Sequence, residues 1–395
     1  MDINSFPPPF VPLSPVLGDG YWAKPHQHKT HSIFDAKYKL KTTSGRAALA
    51  IALEQCGVTN EHNVLIPSYH CESMISPALR LDADVIFYKI NDDTSPNALD
   101  LENKITEQTK AILVTHFFGF TACLTAIKAL CEKHNIFLIE DCAHAFFGEV
   151  NGKPVGTIGD FAIASTMKFF PVLDGGILAS NTHDLSTVTL RKPPITFQLK
   201  SAINSIEKAI KFKRLGKRGV VLNSLLKLKN MVWNHIKRSS SEPSKLTDVP
   251  GSSEGGFGLD ERWINVHSTY FSTQISERAN YSDIRSKRRQ NYMVIHNALK
   301  DLPTCKPLFK SLPEHVTPLV YPLKFLKPHQ YFSALKEKGV PIWRFGEYLD
   351  EKVTSNKFPI SRQLSETIFQ FPCHQSLTQE ELAWIISTVK DTVQG

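Results

Sequence analysis

The stretch KAILVTHFFGFTACLTAIKALCEKHNIFLIED, from Lys110 to Asp141, holds two short apolar runs with a different rhythm between them. AILVTHF and NIFLIED have the length and composition of strands. Between them Leu124, Ile127, Leu130 and Cys131 recur at helical spacing. A strand, a helix and a strand in this order argue a mostly parallel sheet with helices on its faces.

Working outward, NVLIPS and DVIFYKI precede this unit, FAIAS and GILAS follow it, and all four read as strands. AALAIALEQCG before the first strand is a compact helix ended by Gly57. The expected fold class is therefore α/β, and in such sheets ligands sit at the carboxyl ends of the strands. Residues 1–40 form a proline-rich N-terminal arm, 41–260 the large domain and 261–395 a smaller C-terminal α+β domain. That last part reads as a polar helix over 275–299, a strand LVYPLKF, a helix ending at Gly339 and a final helix. Thr378 and Glu381 make a capping box at the start of the final helix.

The apolar runs are far shorter than the roughly 20 residues of a membrane span. The start MDINSFPPPFVPLSP has an early acid, no basic region and prolines where a leader would be apolar. A cytoplasmic protein is expected. Seven cysteines show no CxxC pair, and no Cys/His cluster has zinc spacing, so reduced core thiols and no metal site are expected. The net charge of +8 is concentrated: Arg191 to Arg238 holds thirteen Lys/Arg against Glu207, a local +12 that leaves the remainder at −4.

Four features fall at strand ends or helix starts. Ser44 and Gly45 precede the first helix, where free N–H groups can bind an anion or simply be capped. Tyr69 and His70 stand at the turn after NVLIPS, as packed rings or as a cover for a planar group. Asp141 ends a strand, able to hold a cationic ring nitrogen or to cap the next helix. Lys168 follows FAIAS, either a surface residue or a catalytic amine, with Asp174 and Gly-Gly after it. A phosphate cradle, a ring, an acid and an amine together are the needs of pyridoxal phosphate.

In this order and spacing the chain resembles the DegT/StrS family of sugar aminotransferases, within the fold-type I pyridoxal-phosphate enzymes. TSGRAALAIAL is similar to the family's Ser-Gly-Thr-x-Ala-Leu start, and the block from Lys110 to Asp160 follows its central region. KFFPVLDGG keeps the lysine, an acid six residues on and two glycines, and IFQFPCHQSLTQEELAWII resembles the C-terminal signature. The resemblance implies that Lys168 bonds the cofactor covalently and that Asp141 pairs with the pyridine nitrogen. It implies His144 beside the ring and Ser165, Gly45 and Arg46 at the phosphate. Arg46 stands where the family usually has Thr, and Asp174 replaces the common Glu. The usual stacking aromatic aligns near Cys71, so Tyr69 or His70 is expected to substitute.

The implied activity is amino transfer, with glutamate as donor, to a keto group of a nucleotide-activated sugar for cell-surface polysaccharide. Each site is expected at a homodimer interface. Dehydratases of the family have lost the lysine, and Lys168 argues against that variant. A regulatory or scaffolding protein, or another pyridoxal-phosphate reaction such as a lyase or decarboxylase, are the rivals. The basic helical segment 191–240 is expected to pack through Val221, Leu225, Leu228, Val232 and Ile236, with a break near Gly216 to Gly219. Its sharper reading is contact with an anionic inner membrane through residues 191–238, aided by Trp233. Nucleic acid ranks lower, since no binding motif is present.

Overall fold

A computed structural model describes residues 6–18, 21, 30–219, 221–222 and 258–394. Its centre is a seven-stranded sheet of order β1-β9-β8-β5-β4-β2-β3. The strands are β1 (Tyr38–Thr42), β2 (Asn63–Pro67), β3 (Asp84–Tyr88), β4 (Thr109–Thr115), β5 (Phe137–Asp141), β8 (Phe161–Ser165) and β9 (Gly176–Ser180). The four pairings from β8 through β5, β4 and β2 to β3 are parallel. Only β9 runs antiparallel to both its neighbours, β8 and β1. The expected α/β class is observed, and each of the six predicted strands is present.

Burial explains why these runs are unbroken rather than alternating. Every residue of β2, β8 and β9 is buried, as strands covered on both faces require. Helix α1 (Gly45–Gln55) buries Arg46 through Leu53 without interruption. Its alanines let it lie close on the sheet, and it stops at Gly57, whose φ is +70°. Helices α2 (Glu72–Leu79), α3 (Ala98–Glu102) and α4 (Thr125–His134) supply the crossovers between parallel strands. A two-stranded ribbon of β6 (Glu149–Val150) and β7 (Lys153–Pro154) leads into β8.

Helix α5 (Ile195–Lys211) buries Phe197, Ser201, Ser205 and Ala209. The break in the basic segment falls at 212–215, just before Gly216, and helical residues resume at 216. Lys213 takes a φ of +57° there, and Arg214 bonds Glu381 and the Ser376 carbonyl, pinning the turn to the C-terminal part. Leu225, Leu228, Val232, Trp233 and Ile236 lie outside the described residues.

The polar helix expected over 275–299 is two helices, α6 (Tyr270–Arg278) and α7 (Tyr281–Leu299). The Asn280 side chain accepts from the Asp283 N–H and so starts a new helix. Strands β10 (Cys305–Pro307), β11 (Val320–Phe325) and β12 (Ile368–Pro372) form a second, antiparallel sheet. Helices α8 (Pro328–Glu337), α9 (Pro359–Thr367) and α10 (Gln379–Gln394) accompany it. The capping box is formed: Thr378 N–H donates to Glu381, and Glu381 N–H donates to Thr378 Oγ1.

Two large hydrophobic cores result. The first surrounds the seven-stranded sheet and also takes in Ile264, Ile275, Tyr281 and Ile284. The second joins Tyr292, Ile295, Tyr321, Phe371 and Leu382, with Val11 of the arm. Helix α7 therefore begins in one core and ends in the other.

Candidate active site

The N-terminus of α1 meets the carboxyl end of β8, whose parallel neighbour in the sheet is β5. Gly45 opens α1 directly against β8: a Cβ there would stand 3.4 Å from the Ala164 carbonyl oxygen and 3.7 Å from Ser165 Cβ. The first N–H groups of a helix have no intrahelical partner. Ser44 caps only the Ala47 N–H, which leaves the start of α1 suited to an anion beside Ser165. Ser165 ends β8, and its side chain makes no capping bond to the turn Thr166–Lys168 that follows.

Asp141 ends β5 and is buried. One carboxylate oxygen accepts the Ala143 N–H at 2.9 Å, and the other lies 3.3 Å from Thr115 Oγ1. Burial raises its pKa, opposed by the Ala143 N–H and by the charge of Lys168. Lys168 is lowered by burial, opposed by Cys71 and Asp141. Each charge favours the other, but burial outweighs this and moves both groups toward their neutral forms. His144 is driven well down by burial and then by Lys168, so its imidazole is neutral. Its ring stacks on Phe118 with centroids 5.9 Å apart and meets Phe345 edge-on at 5.0 Å.

The turn after β2 packs both of its rings. His70 stacks on Phe87 at 4.5 Å. Its Nδ1 donates to the Ser68 carbonyl, and its Nε2 accepts the Asp350 N–H. Both nitrogens are spent. Tyr69 is buried among Phe117, Phe118 and Phe345. The residue of this turn that couples to Lys168 and Asp141 is Cys71, at the position where the stacking aromatic aligns. Arg46 also feels Cys71, while its Nη1 donates to the Gly258 carbonyl at 2.8 Å.

The glycines after Asp174 have a steric reason. Gly175 has a φ of +122°, and Gly176 lies against the Ser44–Gly45 peptide, so β9 passes the start of α1 with no room for a side chain. Asp174 itself does not enter the site. It is buried and accepts from Ser201, Thr269 and Ser272 hydroxyls and from the Thr269 N–H, docking α5 and α6.

A buried group of His116, Glu140 and Cys142 brings three potential metal-ligating atoms within 4.8 Å of one another. Glu140 already accepts from Gly156, Ile158 and Gly159 N–H groups and from His116 Nε2. His116 Nδ1 accepts the Ala122 N–H, so its Nε2 carries the proton. Burial would raise the Glu140 pKa, but His116 and the N–H donors outweigh it and lower the value. This group is a saturated structural hub.

Residues 26–200 match the family model of the DegT/DnrJ/EryC1/StrS aminotransferase family. A GDP-perosamine synthase of Vibrio cholerae is 30% identical over 161 residues, 39% of this chain and 43% of that protein. A putative L-glutamine:3-amino-2,3-dideoxy-scyllo-inosose aminotransferase of Micromonospora echinospora is 34% identical over 152 residues, 38% of this chain and 36% of that protein. The match thus spans less than half the length of these curated relatives. Helicobacter pylori PseC, an aminotransferase involved in the biosynthesis of pseudoaminic acid, shares the fold with a TM-score of 0.64 at 17% identity, over 98% of this chain and 99% of that one. Residues 26–200, less than half of the chain, are thus similar to the DegT/DnrJ/EryC1/StrS aminotransferase family, and the fold is that of the solved neighbour.

Proposed function

We propose that the protein is a pyridoxal-phosphate-dependent aminotransferase that transfers an amino group, with glutamate as donor, to a keto group of a nucleotide-activated sugar. The observation that carries this reading is the placing of Asp141 at the end of β5 and of Lys168 in the turn just past its parallel neighbour β8, with the α1 N-terminus against the end of β8. The donor set fits the cofactor: an amine for a covalent bond, a buried carboxylate for a ring nitrogen, and a helix start with Ser165 for a phosphate. Bound there, pyridoxal phosphate supplies an electron sink for cleavage at the donor's α-carbon.

The chain's own groups divide the remaining work. Lys168 Nζ, eased toward its neutral form by burial, takes and returns the proton at the reacting carbon. Asp141, oriented by the Ala143 N–H and Thr115, stabilises positive charge opposite it. His144 presents a neutral ring whose Nδ1 faces the Phe118 N–H at 3.4 Å. Phe117, Phe118 and Phe345 keep water from that side.

The names of the relatives, a GDP-perosamine synthase and an L-glutamine-dependent inosose aminotransferase, support the sugar class. The decisive assay offers purified protein glutamate or glutamine with a panel of UDP-, GDP- and TDP-keto-sugars. Amino-sugar formation by wild type and its absence in Lys168→Ala is the expected result, and a fully active Lys168→Ala protein defeats the reading.

Two finer readings belong to the same proposal. The active form is a homodimer, which sedimentation at working concentration tests; a stable, active monomer rejects it. The enzyme acts in the cytoplasm and rests on the anionic inner membrane face through the basic segment. Exposed Lys200 near exposed Ile195 and Leu199, and exposed Lys211, Lys213 and Lys217 at and beyond the far end of α5, support this. Among the described residues no helix is long and apolar enough to cross a membrane.

A further inference from the structure

The turn that carries Lys168 leaves carbonyls over. Phe169 and Phe170 N–H groups both bond the Thr166 carbonyl, so the turn's own hydrogen bonds do not reach the carbonyls of Lys168 and Phe169. Buried carbonyls need partners. Here they come from two residues far along the chain. Arg288 Nη2 donates to the Lys168 carbonyl at 3.0 Å, and Gln375 Nε2 donates to the Phe169 carbonyl at 2.8 Å.

The two are themselves joined, since Arg288 Nε donates to Gln375 Oε1 at 2.9 Å. Arg288 Nη1 holds the Pro318 and Leu319 carbonyls at the entry to β11. Its guanidinium lies 4.5 Å from the centre of the Phe169 ring. Gln375 Nε2 also reaches Tyr21 of the arm. One planar fork therefore fixes the lysine's own peptide against both β11 and the segment before α10.

We propose that Arg288 and Gln375 are positioning residues that set the direction of Lys168 by gripping the peptide behind it. The proposal rests on Lys168 being the reacting amine. Arg288 is fully buried, and among the described residues no carboxylate forms an ion pair with it. Burial pushes its pKa down to about 10, so it stays charged at neutral pH. An uncompensated buried charge is costly. A planar group that donates in three directions at once is what the geometry needs, and only arginine offers it. Lysine, with one point of donation, cannot hold Lys168, Pro318 and Leu319 carbonyls and Gln375 together.

The test compares Arg288→Gln and Gln375→Met with Arg289→Gln in the cofactor-loaded full chain. Arg289 sits on the same helix and also grips carbonyls, those of Pro313 and Val316, which have no link to the site. Amide exchange of the peptide 164–176 should quicken in the first two variants and stay as wild type in the third. A displaced lysine should lower kcat by about tenfold or more with little change in KM, and should move the pH midpoint of the bound cofactor's absorbance. A merely structural role would lower thermal stability without moving that midpoint. Should Arg288→Gln not fold, Gln375→Met decides alone, because it removes the Phe169 bond without altering charge. Unchanged kcat and midpoint in a folded Gln375→Met protein, with Arg289→Gln alike, would overturn the proposal. An active Lys168→Ala protein would instead overturn the assigned reaction, whatever Arg288 does.

Discussion

Gly176 passes so close to Ser44 that a Cβ on it would stand 2.2 Å from both the carbonyl carbon and the carbonyl oxygen of Ser44. The obstacle is backbone on both sides, so neither chain can yield by rotating a side chain. Gly176→Ala must separate β9 from the start of α1. A loss of about 1–3 kcal/mol or more is expected for such overpacking, together with weaker cofactor retention, because Gly45 moves with Ser44. Denaturant unfolding and cofactor titration check both; a variant that matches wild type in each would show that the loop is not in contact.

Asp141→Asn preserves shape and hydrogen bonding to Ala143 while removing the charge that Lys168 feels. Turnover should fall by roughly 10²-fold, the scale of losing one preorganised electrostatic partner, with the folded state retained. Near wild-type kinetics would remove Asp141 from the catalytic assignment.

His70 and His374 make the protein acid-sensitive. Burial pushes their imidazoles down to about 4 and about 3, respectively. Each is neutral when folded and, once unfolded, takes up a proton below about pH 6.5. The unfolded state therefore binds more protons in that window, and stability drops as pH falls from about 6.5 toward those values. Each group can contribute at most about 1.4 kcal/mol per pH unit. Denaturation at pH 7.5 and pH 5 should show the drop, and His70→Gln should flatten it. Equal pH slopes in wild type, His70→Gln and His374→Gln would assign the sensitivity elsewhere.

The basic segment gives a test by sedimentation with vesicles. Wild type should pellet with anionic but not neutral lipid, and less so as salt rises, since each basic residue near such a surface contributes about 1 kcal/mol. Changing Lys211, Lys213 and Lys217 to Gln should lower recovery. Equal recovery for both proteins would leave α5 with packing alone, through Phe197, Ser201, Ser205 and Ala209.

Local pattern was enough for the sheet and for half of the site. Buried strands appear as apolar runs, so β2, β4, β5, β8 and β9 could be read directly, and with them the positions of Asp141 and Lys168 at or just beyond strand ends. Gly-Gly after Asp174 likewise announced a close passage, though not its partner. The break at Asn280 was missed because helical spacing persists across it, while the cap that interrupts it depends on a bond to Asp283.

What the sequence determined by itself is the order of strands and helices, and with it the placing of an amine, an acid and a helix start at one edge of a sheet; periodicity and chain order are properties of neighbours. How the rings of Tyr69 and His70 pack was decided only by tertiary structure. Phe87 and Asp350 claim His70, and Phe117, Phe118 and Phe345 claim Tyr69. The grip of Arg288 and Gln375 on the Lys168 turn joins residues 87 to 206 positions apart. Side-chain direction at a turn, and the supply of partners to leftover carbonyls, depend on whatever the fold brings alongside, and no local spacing encodes that.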